Sequence, residues 1–334
     1  MLETDRVLSA PCRAAQRDDP RPVWRPSRSR SISRSQSGLS VRAGHVSVIT
    51  LIWSRNMTTG THAYDGYTSL SFERPEPGIV LVTILAGERM GVLEQSELGR
   101  AWLEIAADAD CRAVILAGTP NCFGRGGQVQ KVQADFATTG LIMDGAYDLV
   151  YNMLRVPQPI VSAVMGEAHG VGLAVALLAD MSIVDNDAEL TDGHVLIGIP
   201  PGDHAVMIWP LLCSMAKAKY YLLTGRSLDG REAERIGLVT KCVPKDEVMG
   251  EALALASSLA AGPPWTLRWA KRALNNWVRS AGPAYDASLG WEMLGLLGPE
   301  RIEATNAILE GRPPDFSACT AVPTMRSGEG TSAA

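Results

Sequence analysis

The chain has 334 residues, of which 46% are hydrophobic and 20% charged, a composition typical of a soluble globular protein that is long enough to bury a sizeable core. No apolar run approaches the ~20 residues needed to cross a membrane. The formal net charge of −5 hides an asymmetry: residues 1–56 carry ten Arg and four acidic residues, so the remainder has a formal charge of about −11, which argues against a nucleic-acid-binding body. The six Cys form no CxxC pair and no metal-like spacing with His. We therefore expect a reduced, cytoplasmic setting, no metal and no membrane contact.

Residues 1–56 are predicted to form a disordered Arg/Ser-rich extension, because a run such as Arg25–Ser37 cannot bury enough apolar surface to offset the entropy of ordering. Three interpretations remain open: a basic arm for nucleic acid, a transit peptide, or translated sequence upstream of a true start at Met57. The position of Met57, just before the first strand-like run, favours the last.

Strands and helices alternate over residues 57–225, which predicts an α/β core with mostly parallel strands. The predicted strands are Thr68–Glu73, Gly78–Leu85, Cys111–Ala117, Pro159–Met165 and Met181–Val184. The predicted helices are Leu93–Ala107, Leu141–Arg155 and Leu173–Ala179. No internal repeat is evident.

Beyond Ile208 the pattern is almost entirely helical, apart from a strand at Leu238–Val243. The predicted helices are Lys217–Thr224, Asp229–Ile236, Lys245–Ala261, Pro264–Val278, Ala284–Leu297 and Pro299–Leu309. We expect a helical C-terminal region over 226–316, which covers a site or makes a subunit contact, and a disordered tail over 317–334.

Two glycine-rich turns follow predicted strands, at Cys122–Gln128 and Gly166–Gly172. Each can offer backbone N–H groups with no side chain in the way, and two such donors on one oxygen form an oxyanion hole. Close packing of strand and helix is the alternative explanation for the glycines. A dinucleotide site at the second turn is disfavoured because Val175 stands where the third glycine belongs.

Four motifs resemble the crotonase (enoyl-CoA hydratase/isomerase) superfamily over roughly residues 67–316. CFGRGGQV resembles the AFxAGxDL turn of that family, and the segment from IVSAVMGEAHGVG to DNDAEL resembles its xIAAVNGxAxGGGxELALxCDxRIAxxxAxF stretch. IGIPPGDHAVMIWPLL and LLTGRSLDGREAERIGLVTKCVP also have counterparts there. The resemblance implies a spiral of ββα units, a helical trimerisation region, a homotrimer or dimer of trimers, and a thioester carbonyl bound by the N–H groups of Gly127 and Val171.

The chain departs from this family at both catalytic glutamates of its hydratases. The first position falls on Ala174 and the second on His194, so the usual two-glutamate hydration cannot operate. A neutral imidazole is a competent general base, and Asp203, joined to His194 by a Pro-Pro-Gly loop, can fix its tautomer. This placement of His and Asp resembles the β-diketone hydrolase (oxocamphor hydrolase) branch. His169, His204 and Glu292 are accessory candidates.

The resemblance predicts an enzyme that stabilises an enolate of an acyl-CoA or related carbonyl compound, with the His–Asp pair handling water or a proton. It requires no cofactor beyond the coenzyme A of the substrate, and it suggests a hydratase-like lyase or isomerase of fatty acid metabolism. Two alternatives stay open: hydrolytic C–C cleavage of a β-diketone, and a catalytically silent scaffold or RNA-binding protein.

Overall fold

The computed structural model describes residues 64–85, 90–126, 135–202 and 204–319. The chain divides after Thr59 into two units, and every described residue belongs to the second, Gly60–Ala334. The predicted extension over residues 1–56 and residues 320–334 of the predicted tail lie outside the described residues.

The two central strands of the larger sheet are mostly aliphatic and buried on both faces, as parallel strands between helical layers must be. The strands of this sheet are β1 (Leu70–Glu73), β2 (Ile79–Ile84), β3 (Ala113–Ala117), β5 (Ile160–Val164), β7 (Met181–Asp185) and β9 (Lys241–Val243). Their order in the described residues is β1-β2-β3-β5-β7-β9; β1 and β2 pair antiparallel, and the other neighbours pair parallel. The predicted strands are confirmed, with the last one shortened.

Alternation along β3 explains why this sheet carries two hydrophobic layers. Val114 and Leu116 point into the larger core cluster, which includes Trp102. Ile115 points the other way, into a second cluster with Ala252. Because successive side chains of a strand face opposite sides, one apolar run serves both layers.

The helices pack on both faces of this sheet and mostly match the predicted ones. They are α1 (Val92–Ala107), α2 (Phe136–Arg155), α3 (Val171–Leu178), α4 (Ala205–Cys213), α5 (Met215–Thr224), α6 (Gly230–Arg235), α7 (Val248–Ala261), α8 (Pro264–Ser280), α9 (Gly282–Leu296) and α10 (Pro299–Glu310), with 3₁₀ turns at His194–Ile197, Lys245–Glu247 and Phe316–Cys319. None of the helices in the described residues is long and apolar enough to span a membrane.

Helix α2 begins five residues earlier than predicted, because Asp135 caps its N-terminus. The Asp135 carboxylate accepts a hydrogen bond of 2.7 Å from the N–H of Thr138, which satisfies a donor that has no acceptor within the helix. Helix α4 was not predicted, and it contains Pro210, a residue that normally interrupts a helix.

A smaller, three-stranded sheet was also missed by the sequence analysis, and it positions the candidate site. It consists of the parallel neighbours β4 (Cys122–Gly124), β6 (Glu167–His169) and β8 (Glu189–Thr191). Each follows a strand of the larger sheet, so β3-β4-α2 and β5-β6-α3 are successive ββα units. The spiral of ββα units implied by the family resemblance is thereby confirmed.

The C-terminal helices fold back onto the α/β core. Tyr285 of α9 is fully buried, and its hydroxyl donates a hydrogen bond of 2.9 Å to the carbonyl of Ala146 in α2. Helix α9 therefore lies against α2, near the carboxyl ends of the smaller sheet.

Candidate active site

A cavity of about 390 Å³ lies at the carboxyl ends of β4, β6 and β8. Because these strands are parallel neighbours, the residues that follow them meet at one edge, the usual place for a ligand in a parallel sheet. Gly126 follows β4, Val171 follows β6 and His194 follows β8, and all three line the cavity. Segments far apart in sequence thus contribute to one site.

The two glycine-rich turns are in direct contact. A Cβ on Gly172 would lie 2.0 Å from the carbonyl oxygen of Gly124, and a Cβ on Gly170 would lie 3.3 Å from the Cα of Gly126. Close packing therefore explains several of these glycines. The same contact places Val171, the first residue of α3, beside the turn after β4, and N–H groups at that helix position have no acceptor within the helix. Close packing and amide donation are therefore compatible explanations for the glycines of these turns.

His194 is held by a neighbouring carboxylate. Its Nδ1 lies 3.0 Å from Oδ1 of Asp192, and the two residues are 9% and 7% exposed. Because a carboxylate can only accept, Nδ1 carries the proton and Nε2 is the nitrogen able to take one. Gly193 between them adopts φ 73°, a left-handed conformation that glycine tolerates without steric cost.

Asp192 was not among the predicted site residues. The signal that could have revealed it is the Asp-Gly step before the histidine, since Asp often bonds the backbone two residues on. That contact is present: the N–H of His194 donates to Oδ1 of Asp192 at 3.5 Å.

Glu292 approaches the histidine from the other side. Its Oε1 lies 3.7 Å from Nε2 of His194, longer than a direct hydrogen bond but close enough for an electrostatic interaction. The approach depends on Gly202 of the Pro-Pro-Gly loop, where a Cβ would lie 2.5 Å from the Glu292 side chain. Helix α9 therefore brings this accessory candidate into the cavity.

His169 and Arg125 lie at the edge of the same cavity. Burial lowers the pKa of His169, although Glu189 and Glu167 oppose this shift, so we expect a neutral imidazole at pH 7. Nε2 of His169 lies 3.8 Å from a carboxylate oxygen of Glu189. Arg125 forms an ion pair with Glu167, which places a neutralised cation beside the first glycine turn.

The rest of the cavity wall is largely apolar. The apolar residues come from α1, α2, the 3₁₀ turn, the following loop and α9, and they are Val92, Ile142, Ala146, Ile197, Ile199 and Leu296. Arg301 of α10 also lines the cavity and is 5% exposed. An apolar wall beside a polar cluster suits an acyl or alicyclic substrate.

Other predicted site residues have different positions. Gly127 and Asp203 lie outside the described residues. His204 is fully buried, and its carbonyl accepts hydrogen bonds from the N–H groups of Met207 and Ile208 at the start of α4. Among the described residues, the cavity lining does not include it.

The repeated ββα units and the glycine turns beyond their second strands define the crotonase class of α/β fold. The chain belongs to the enoyl-CoA hydratase/isomerase family, whose model matches residues 78–318. A probable enoyl-CoA hydratase of Mycobacterium bovis is 27% identical over 257 residues, covering 75% of this chain and 98% of the relative. A probable enoyl-CoA hydratase of Rhizobium meliloti is 32% identical over 181 residues, covering 54% and 69%. The crystal structure of an enoyl-CoA hydratase/isomerase from Mycobacterium paratuberculosis superposes with a TM-score of 0.69 at 26% identity, covering 73% of this chain and 99% of that one.

Proposed function

We propose that this family member is an enzyme that polarises the carbonyl of an acyl-CoA, or of a related carbonyl compound, and stabilises the resulting enolate. The observation that carries the proposal is the convergence of three strand ends on one cavity, with amide-bearing turns on one side and His194 on the other. Two main-chain N–H groups, from Gly127 and Val171, would hold the carbonyl oxygen. Such donors act where charge develops, so each is worth ~10²–10³ in rate.

His194 is the group proposed to move the proton. Asp192 orients the ring and stabilises the imidazolium that forms, and the proposed role of Asp203 is the same. Glu292, 3.7 Å from the other ring nitrogen, would hold a water or receive the proton. Ala174 has no ionisable group, which supports a mechanism that differs from two-glutamate hydration.

Proton exchange next to the carbonyl tests for the enolate, whichever reaction the enolate goes on to. The full chain is incubated with saturated and unsaturated acyl-CoA thioesters in D₂O, and deuterium incorporation next to the carbonyl is followed by NMR. We expect exchange with the wild type, and a loss of about 10²–10⁴-fold in His194→Ala, the range for removal of a general base. Asp192→Asn and Glu292→Gln should show intermediate losses.

Glu251→Gln is the matched control, because Glu251 is half-exposed on the far face of the larger sheet and pairs with Lys241. It should exchange at the wild-type rate. Exchange that survives His194→Ala would overturn the assigned role. A chain that shows neither exchange nor turnover on any carbonyl substrate would favour the silent scaffold.

Hydrolytic C–C cleavage of a β-diketone is the second candidate, and the His194–Asp192–Glu292 cluster favours it. A water hydrogen-bonded to Nε2 of His194 would attack one ketone carbon while this nitrogen takes its proton, and the carboxylate of Glu292 would stabilise the imidazolium that forms. The tetrahedral oxyanion would then expel an enolate, which regains a proton to give a ketone and a carboxylic acid. Cyclic β-diketones in H₂¹⁸O should yield a product with one ¹⁸O in the new carboxylate, whereas an enzyme restricted to thioesters would leave them intact.

The assembly that we propose is a homotrimer, or a dimer of trimers, formed through the helical C-terminal region. Several large apolar side chains of this region are exposed, among them Trp277, Trp291 and Leu294 at 71%, 62% and 68%, and patches of this kind mark protein contacts. Sedimentation of the wild type should give a trimer or hexamer, and Trp291→Ser should shift it toward monomer. A monomeric wild type would contradict the proposal.

A further inference from the structure

A second concavity, of about 560 Å³, lies between the end of α2 and one face of α8. Leu154, Arg155, Val156 and Pro157 form one wall. The other wall is a single face of α8, which carries Trp265, Arg268, Trp269, Lys271, Arg272 and Arg279. We call this concavity the arginine groove.

The arginine groove lies near the amino end of β5 in the larger sheet, whereas the candidate active site lies at the carboxyl ends of the smaller sheet. Helix α2 lines the active-site cavity at Ala146 and the groove at Arg155, a separation of about 13 Å at 1.5 Å per residue. The chain then passes through Pro157 into the amino end of β5, whereas the cavity lies at carboxyl ends. The groove therefore belongs to neither the cavity nor its lining.

Four guanidinium groups dominate the groove, from Arg155, Arg268, Arg272 and Arg279. No carboxylate is part of its described lining, and none of the four arginines forms a salt bridge to another described residue. The pKa of Arg279 is lowered by burial and, in addition, by the charges of Arg272 and Arg155. Like charges held this close are stabilised by a bound anion.

The fifth cation of the groove, Lys271, is already neutralised by contacts within the fold. Lys271 is 8% exposed; its Nζ lies 2.7 Å from Asp180 and donates to the carbonyl of Gln158 at 2.8 Å. Arg279 is fixed by the backbone: Nη2 donates to the carbonyl of Leu154 at 2.6 Å. The groove is thus partly preorganised by contacts within the fold.

Two indoles lie along the same wall. Trp265 and Trp269 have ring centroids 5.6 Å apart, and they remain 50% and 64% exposed. Arg268 lies over the Trp265 ring at 5.5 Å. Aromatic faces next to guanidinium groups provide the stacking and charge contacts that nucleotides use.

We propose that the arginine groove is a second binding site, for a small nucleotide that carries at least two phosphates. The phosphates lie against the guanidinium groups, which match them in bidentate geometry, and the base stacks on the exposed indole of Trp269. A small ligand is favoured over a nucleic acid or an anionic membrane, because the chain beyond residue 56 has a formal charge of about −11 and would repel an extended polyanion. The groove volume is within the range of small-ligand sites.

Calorimetric titration of the full chain with ADP, and separately with inorganic pyrophosphate, tests the site. Both should bind at low salt. Arg268→Gln/Arg272→Gln should weaken both by at least about tenfold, since each charge-assisted contact is worth more than a neutral hydrogen bond. Trp269→Leu should weaken ADP by about 5- to 150-fold, the worth of one stacked base, and leave pyrophosphate within about twofold. The different effects of Trp269→Leu on ADP and on pyrophosphate distinguish base stacking from phosphate binding.

Arg226→Gln/Arg235→Gln is the control for net charge, because it removes the same two charges from exposed positions outside the groove; ADP binding should be retained. Absence of ADP binding by the wild type, or equal weakening by the two double variants, overturns the proposal. Binding of a short single-stranded oligonucleotide in the absence of ADP binding also overturns it. A change of oligomeric state in Trp269→Leu overturns it as well, because the groove would then be a subunit contact. The readout is binding, so it is separate from the success or failure of the proposed reaction.

Discussion

The carboxyl ends of the smaller sheet and the amino end of β5 in the larger sheet arrange their charged and titratable groups in different ways. At the carboxyl ends of the smaller sheet, the imidazole of His194 lies between the carboxylates of Asp192 and Glu292, so that a proton acceptor and two carboxylates share one cavity. At the amino end of β5, four arginines gather on α8 and α2 without a carboxylate in the described lining. A cluster of an imidazole and carboxylates can pass a proton among its members, whereas a cluster of cations attracts an anion. The first region is therefore the candidate catalytic site, and the second is the candidate binding site for an anion.

The largest effect that this comparison predicts is on turnover. His194→Ala should lower kcat by about 10²–10⁴-fold, while Arg268→Gln/Arg272→Gln should leave kcat within about twofold, because only the former changes the proton-transfer group. Steady-state kinetics on whichever carbonyl substrate the exchange assay identifies gives the answer. Equal losses in both variants would mean that the two ends are not functionally separate.

The second largest predicted effect is on the free energy of unfolding, through the Lys271–Asp180 pair near the amino end of β5. Lys271→Met should lower the free energy of unfolding by about 3–5 kcal/mol, because it leaves Asp180 without its buried partner. Lys217→Met is the control: that lysine is 3.9 Å from Glu232 on the surface, and such pairs contribute less than about 1 kcal/mol. Urea unfolding of both variants is the measurement. Equal midpoints would show that the Lys271–Asp180 pair contributes no more to stability than a surface pair does.

Acid should weaken the cavity end through Glu97 of α1, the helix whose first turn lines the cavity. Burial alone would raise the pKa of Glu97, but hydrogen bonds from Ser69 and Thr68 outweigh it and lower the pKa to about 2. A lowered carboxylate pKa stabilises the fold above the unfolded value near 4.5, and the contribution of about 3 kcal/mol disappears as the pH falls from 4.5 to 2.

The difference in unfolding free energy between the wild type and Glu97→Gln should accordingly be largest near neutral pH and shrink across that interval. Glu303→Gln is the comparison, because hydrogen bonds from Arg312 lower the pKa of Glu303 to about 2 as well, but at a solvent-screened position. Its pH-dependent difference should be smaller. A wild-type advantage over Glu97→Gln that persists at pH 2 would contradict the assignment.

Length and periodicity determine which parts of the fold could be predicted from the sequence. The long strands of the larger sheet and most of the helices were predicted because five or more apolar residues define a period. β4, β6 and β8 have three residues each, too few to show a period, so β4 and β6 were interpreted as parts of the glycine-rich turns and β8 was not predicted. The repeat of ββα units was hidden for the same reason.

The residues of the candidate site were likewise predicted only in part. His194 and Glu292 were predicted from the family resemblance and from residue chemistry, and the structure places both in the cavity. Asp192 was missed, because its contact depends on the left-handed Gly193 that turns the histidine back. The arginine groove was not predicted because its two walls are more than a hundred residues apart in the sequence, and no local sequence pattern indicates that they are in contact.

The smallest predicted effect tests whether the glycine turns are needed for packing. Gly172→Ala would place a Cβ 2.0 Å from the Gly124 carbonyl, so the two turns must move apart, at a cost of about 1–3 kcal/mol. Gly250→Ala in α7 is the matched control, since nothing lies within 4 Å of that Cβ and alanine favours a helix by up to about 1 kcal/mol. Unfolding should therefore show destabilisation at 172 and stabilisation at 250. If both variants are stabilised, the turns tolerate separation and close packing does not explain Gly172; a loss of turnover at 172 without a loss of stability would assign that glycine to the amide donors instead.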